Sequence, residues 1–220
     1  MYLGACLPSR PRFERGDLLD YYVPVADYVG RSLAQGELPL WNPNGGCGFD
    51  QVGGAQAALF YPPTWVNALL PVGAAMTLLV LLHLVWFFWG FHKWLGLLGV
   101  GAVPALAGAT VVAFGIIAEA WWPPMFYTLA WSPWILWSIE RRGGWHWNIF
   151  IGAALVAMQV LAGSPQYFYY SMAVVGLYAV VKSCGQKSFR PITLLVVGTL
   201  FGAGLAASQL AVTSQYLKQC

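Results

Sequence analysis

Charge is what this sequence has least of. Asp, Glu, Lys and Arg make up only 9% of its 220 residues, against roughly a quarter in a soluble domain. So few ions cannot cover a water-facing surface, which excludes an ordinary soluble globule. The formal charge of +3 comes with no basic stripe, so no nucleic-acid partner is expected. Met1 to Arg15 hold Pro8, Pro11 and four charged residues, which excludes an apolar signal core. The four cysteines show no C-x-x-C spacing, which argues against structural zinc. Cys6 and Cys47 share one segment and pair only if it faces an oxidising space; unpaired thiols are the simpler reading. Signatures of serine hydrolases, metalloproteases and dinucleotide-binding folds are missing. The Gly45–Gly54 stretch lacks the Lys-Ser/Thr of a phosphate loop and reads as a flexible connector.

Apolar and aromatic residues are what remain. The chain is 59% hydrophobic, with twelve Trp, eleven Tyr and twelve Phe, a load suited to membrane–water interfaces. Six of the eight acids, Glu14, Asp17, Asp20, Asp27, Glu37 and Asp50, precede residue 71. The chain thus divides into a polar head, 1–71, and an apolar body, 72–220. About 20 apolar residues cross a bilayer, and the pattern predicts six spans near 72–91, 97–118, 124–140, 147–163, 166–182 and 191–213. The third is short and interrupted by Pro133. The expected fold class is therefore an all-α polytopic membrane protein. Alternate loops collect Lys93, Arg141, Arg142, Lys182, Lys187 and Arg190, while the short loops around Trp121 and Pro165 collect no Lys or Arg. That bias places the basic loops in the cytoplasm and the head outside it. An exported head without a signal core implies either a first hydrophobic helix that exports its own N-terminus or, the favoured reading, an upstream helix.

Within the head, Tyr21, Tyr22, Val25, Tyr28, Val29 and Leu33 recur at helical spacing, with Pro24 in the first turn and Gly36 closing the run. This predicts an amphipathic helix along the membrane surface. Residues 39–63 read as an irregular ordered loop, followed by a short helix over 64–70. Asp17 and Asp20 share a face if their turn is helical. They sit at a helix start, where unpaired N–H groups favour anions. A carboxylate there can take a proton from an incoming hydroxyl or hold a divalent metal; it can equally cap the helix. Glu119 ends the second span on the same side, as a solvated end-residue or a partner of the aspartates. His83 lies near mid-bilayer, where an ionisable side chain is a functional candidate, although neutral His also packs. Arg15 and Arg31 are cations near Asp17 able to meet a phosphate. Trp121, Trp122, Tyr127, Trp131, Tyr167, Tyr169 and Tyr170 read as interfacial anchors.

Gly16-Asp17, Tyr22-x-Pro24 and Gly36-Glu37-Leu38-Pro39-Leu40-Trp41-Asn42-Pro43 form a series with Phe60-Tyr61-Pro62-Pro63, Ala130-Trp131-Ser132-Pro133 and Ala162-Gly163-Ser164-Pro165-Gln166. The series resembles the YfhO-like bacterial membrane proteins, regarded as part of the GT-C superfamily of polytopic glycosyltransferases. The resemblance implies a sugar moved from a polyprenyl-phosphate donor to an extracytoplasmic glycan or polymer acceptor, in a bacterial plasma membrane. It implies a catalytic or metal-binding acid at Asp17, with Mg or Mn as the possible ion. Trp41, Asn42 and Gln166, in the motifs that carry the likeness, become candidate substrate-binding residues beside Arg15, Arg31 and His83. Asp20 and Glu119 complete the catalytic candidates. Family members are longer and begin with a further helix, so the chain is expected to be an N-terminal part of such a protein. A carrier or flippase using His83 and Glu119, and a non-catalytic scaffold, are the alternative readings.

Overall fold

The computed structural model describes residues 16–116 and 122–218. Its first element is a widened π-helical turn, Leu18–Tyr22, that runs straight into α1, Val23–Ala34. Pro24 occupies the first turn of α1, where a missing N–H costs nothing. Val25 and Val29 face inward, as the spacing predicts. After the turn at Gly36 a short antiparallel ribbon follows, β1 (Trp41–Asn42) against β2 (Phe49–Asp50), with Trp41 opposite Asp50 and Asn42 opposite Phe49. A 3-10 helix, Pro62–Ala68, then leads to the body.

Eight α-helices follow in order: α2 (Val72–Leu97), α3 (Ala102–Ile116), α4 (Pro123–Leu129), α5 (Ser132–Glu140), α6 (Trp145–Leu161), α7 (Pro165–Gln186), α8 (Arg190–Leu205) and α9 (Ala207–Leu217). The fold is predominantly helical, as expected. The six spans are not reproduced as six continuous rods. Among the described residues α2 alone is both long and apolar enough by itself to cross a bilayer, while α3 and α6 are apolar but shorter. The 124–140 stretch is two helices, α4 and α5, parted at Ala130–Trp131 with Pro133 in the first turn of α5; that ring cannot sit inside a helix without breaking it. The 191–213 stretch is also broken, α8 and α9 meeting at 77°. Its cause is tertiary: the Gln209 amide donates to the Val52 carbonyl at 2.9 Å, tying α9 to the head.

The body inverts the usual arrangement of large and small side chains. Inward positions of α3 are Ala105, Ala109 and Ala113, and those of α8 include Gly198 and Gly202. A Cβ on Gly202 would stand 2.8 Å from the Ala153 carbonyl, so glycine is what lets α6 and α8 approach. The large apolar residues point outward instead: Leu81, Leu82 and Val85 on α2, Val111 and Phe114 on α3, Val174 and Leu177 on α7, Leu200 and Phe201 on α8.

The 45–54 stretch is no free connector. Gln51, Val52, Ala55, Ala58, Leu59 and Tyr61 are all buried, so the segment after β2 plugs into the body. Ala55 and Ala58 adopt left-handed backbone at φ 62° and 48°, a conformation that is costly for a residue with a Cβ. Opposite them Gly163, itself at φ +96°, brings its backbone close enough that a Cβ would lie 2.7 Å from the Ala55 carbonyl. Gly163→Ala therefore meets a steric clash and a strained φ together. Thermal unfolding should show it destabilised by roughly 1–3 kcal/mol; an unchanged midpoint would mean the plug does not seat on this turn.

Candidate functional site at the aromatic rim

Asp17 precedes the π-helical turn, in the N-cap position, yet its carboxylate caps nothing. Instead Oδ2 accepts a hydrogen bond of 3.0 Å from the indole N–H of Trp122, at the start of α4. This contact joins the head to the body across 105 residues of sequence. Oδ1 has no protein partner among the described residues, and Asp17 is exposed. Beneath it Tyr22 is buried, with the Tyr21 ring edge-on at 5.1 Å. Burial first, then the neighbouring Tyr21 and Asp17, push the Tyr22 phenol up to about 12. It stays a neutral phenol at any physiological pH. The rim thus offers one carboxylate with a free oxygen, flanked by aromatic faces.

Other candidates divide clearly. Asp20 is exposed, and the i→i+5 winding of its turn rotates it further from Asp17 than α spacing would. Arg31 is held by Asp27 one turn earlier on α1, so it does not reach toward Asp17. Trp41 is exposed, its carbonyl accepting from the Tyr28 hydroxyl at 2.9 Å. Asn42 is buried and spent internally: Nδ2 donates to Gln51 Oε1 at 3.0 Å and Oδ1 accepts from the Asn44 N–H at 2.9 Å. It locks the ribbon rather than facing a ligand. Gln166 is exposed near the start of α7, donating to the Tyr170 hydroxyl at 2.9 Å. Arg15 and Glu119 lie outside the described residues, as do Cys6 and Trp121.

His83, twelfth in α2, lies about 17 Å along that helix and is buried in a polar chain. Its Nδ1 faces the Leu79 carbonyl at 2.7 Å. A carbonyl only accepts, so Nδ1 carries the hydrogen and Nε2 is an acceptor. Nε2 then receives the Tyr61 O–H at 2.6 Å, and Tyr61 Oη receives the Trp131 indole N–H at 2.8 Å. Tyr127 stacks on the imidazole with ring centroids 4.4 Å apart. Every donor in the chain has an acceptor, and none is left for a solute. Tyr127 and Trp131, read from sequence as interfacial anchors, belong to this interior network. Tyr61 was missed as a functional position; its signal is a lone hydroxyl in the apolar Phe60-Tyr61-Pro62-Pro63 run. A second interior clamp sits at Gln159, whose amide nitrogen lies 2.8 Å from Ser171 Oγ and 3.1 Å from both the Thr128 carbonyl and Ser132 Oγ.

Among the described residues no three His, Cys, Asp or Glu side chains come together as a metal cluster. Asp17 alone does not supply the oxygen set a divalent ion takes, so no step below runs through a metal. The chain matches no family model, no curated protein and no solved structure in the comparisons made.

Removing the Tyr61 hydroxyl tests the interior chain. Tyr61→Phe strands both the His83 acceptor and the Trp131 donor in an apolar setting, and should cost about 1–3 kcal/mol in thermal unfolding. A Tyr61→Phe protein as stable as the parent would show that the chain does not hold.

Proposed function

We propose that this chain belongs to a membrane-embedded glycosyltransferase of the GT-C type, with Asp17 as its general base. Embedding is supported by the outward-facing large apolar side chains of α2, α3, α7 and α8 over small inward ones. No aqueous surface explains that layout, because it exposes the residues water most disfavours. The Lys and Arg of the loops support the orientation read from sequence, since they favour one of the two ends. Lys182, Arg190 and the Arg141–Arg142 pair gather where α5 and α7 finish and α8 begins, while α4 starts beside Asp17 at the other. That gathering of cations supports a head outside the cytoplasm.

The observation that carries the catalytic reading is the Asp17–Trp122 contact. The indole fixes one carboxylate oxygen, and the other has no partner among the described residues. In that geometry Oδ1 takes the proton from an acceptor hydroxyl as the hydroxyl oxygen attacks the anomeric carbon of a polyprenyl-phosphate sugar. The bond from that carbon to the phosphate oxygen breaks, and the lipid phosphate leaves with the electron pair. Exposed aromatic residues of the rim, Trp41, Tyr169 and Tyr170, suit sugar or isoprenoid faces. A carrier built on His83 has less support, since both ring nitrogens are already engaged.

Membrane vesicles carrying the protein, supplied with a polyprenyl-phosphate sugar and an extracytoplasmic glycan acceptor, provide the assay. Asp17→Asn keeps the Trp122 contact but removes the base, and should lower sugar transfer about 10²–10⁴-fold. Equal rates for Asp17→Asn and the parent would remove Asp17 from the mechanism.

A further inference from the structure

The basic end carries a cleft of about 350 Å³ between the end of α5, the end of α7 and the start of α8. Arg142, Lys182 and Arg190 line it, together with one carboxylate, Glu140, and the amide of Gln186. Glu140 is already neutralised: it pairs with Lys182 at 2.9 Å and accepts the Tyr178 hydroxyl. Lys182 has two N–H groups left after that pairing. Arg190 reaches only the Arg141 carbonyl, at 3.5 Å. Among the described residues no carboxylate pairs with Arg142 or Arg190. The cleft is therefore a cationic socket without its anion.

Its apolar wall says what kind of anion fits. Leu97, Ile139 and Pro191 complete the lining, and Leu97 is shared with a second cleft of about 480 Å³. That neighbour is lined by His92, Lys93, Gly96, Trp134 and Trp137. A polar socket opening through one leucine onto an aromatic trough suits an amphiphile with a phosphate at one end and hydrocarbon at the other. A free phosphate would use the first cleft and leave the trough unfilled.

We infer that this paired cleft holds an anionic glycerophospholipid, its phosphate headgroup between Arg142, Lys182 and Arg190 and an acyl chain along Trp134 and Trp137. The inference rests on the reading of the chain as membrane-embedded. Basic pockets between helices on the cytoplasmic side are suited to such headgroups, since each nearby cation adds to the attraction. The lipid would brace α5, α7 and α8 where the helices otherwise repel one another through like charge.

The test uses the full chain in lipid nanodiscs of phosphatidylcholine with and without phosphatidylglycerol. Native mass spectrometry then counts the lipids retained on the protein after release into detergent. The parent should retain phosphatidylglycerol in preference to phosphatidylcholine, and millimolar inorganic phosphate should not displace it. The double variant Arg142→Gln, Arg190→Gln leaves the Glu140–Lys182 pair intact and should lose that preference roughly 30-fold. Trp137→Ala, which removes none of Arg142, Lys182 and Arg190, should weaken retention of the lipid without changing weak phosphate binding. Equal retention by the parent and the double variant would overturn the site. Displacement by inorganic phosphate would reassign it to a free anion and overturn the lipid. An alkaline wash of membranes separates the two readings: a chain that stays in the bilayer but shows no lipid preference defeats only this inference. A chain that washes out defeats both.

Discussion

One hydroxyl group holds three distant stretches of this chain in register. Tyr61 comes from the head, His83 from the middle of α2, and Trp131 from the break between α4 and α5. Each of these groups is buried or half-buried, where an unmade hydrogen bond is costly. The hydroxyl links the other two: it donates to His83 Nε2 and accepts from the Trp131 indole N–H. The head must therefore enter the body, and the α4–α5 break must lie at the depth where it meets that hydroxyl. The left-handed alanines and the tight seat of Gly163 follow from the same demand. A chain that has to reach Tyr61 into the interior accepts local strain at Ala55 and Ala58 to get there.

The neutral form of this network matters as much as its geometry. A protonated His83 would carry hydrogens on both nitrogens, and Tyr61 would then receive two donors while its own hydrogen found no acceptor. The surrounding rings, Tyr127 stacked and Phe126 nearby, provide no counter-charge. Electrostatics thus hold the interior uncharged, and what charge the molecule keeps is pushed to its ends. The Gln159 clamp follows the same rule, since it joins α4, α5, α6 and α7 through amide, carbonyl and hydroxyl groups alone.

Helix periodicity made the element order readable from sequence because it depends on local spacing. The helix after Pro24, its end before Gly36 and the interruption at Pro133 all follow from backbone rules that act within a few residues. Two features were out of reach for a physical reason. Residues 51–61 are irregular and apolar, and such a segment has the same composition whether it lies on a rim or inside a bundle. The bend between α8 and α9 falls at Ala206–Ala207, where no proline signals a stop; Gln209 and the Val52 carbonyl impose it from 157 residues away. Tyr127 and Trp131 show a related ambiguity. An aromatic ring with a polar tip is equally at home at an interface or in a buried hydrogen-bond chain. Of the site candidates, Asp17 was legible from its place before a helix, but its partner Trp122 was not, because nothing in sequence pairs residues 105 apart.

The carboxylate at the rim meets a different kind of partner from the acids that form ion pairs elsewhere in the molecule. Arg31, the one cation among the head's described residues, shows what happens when opposite charges share a surface: it closes on Asp27 and both are consumed. At the basic end Glu140 meets the same fate with Lys182. Among the described residues no Lys or Arg forms an ion pair with Asp17. Its neighbour is instead an indole, which orients a carboxylate without neutralising it. A single neutral donor engages one carboxylate oxygen, and the other has no partner among the described residues.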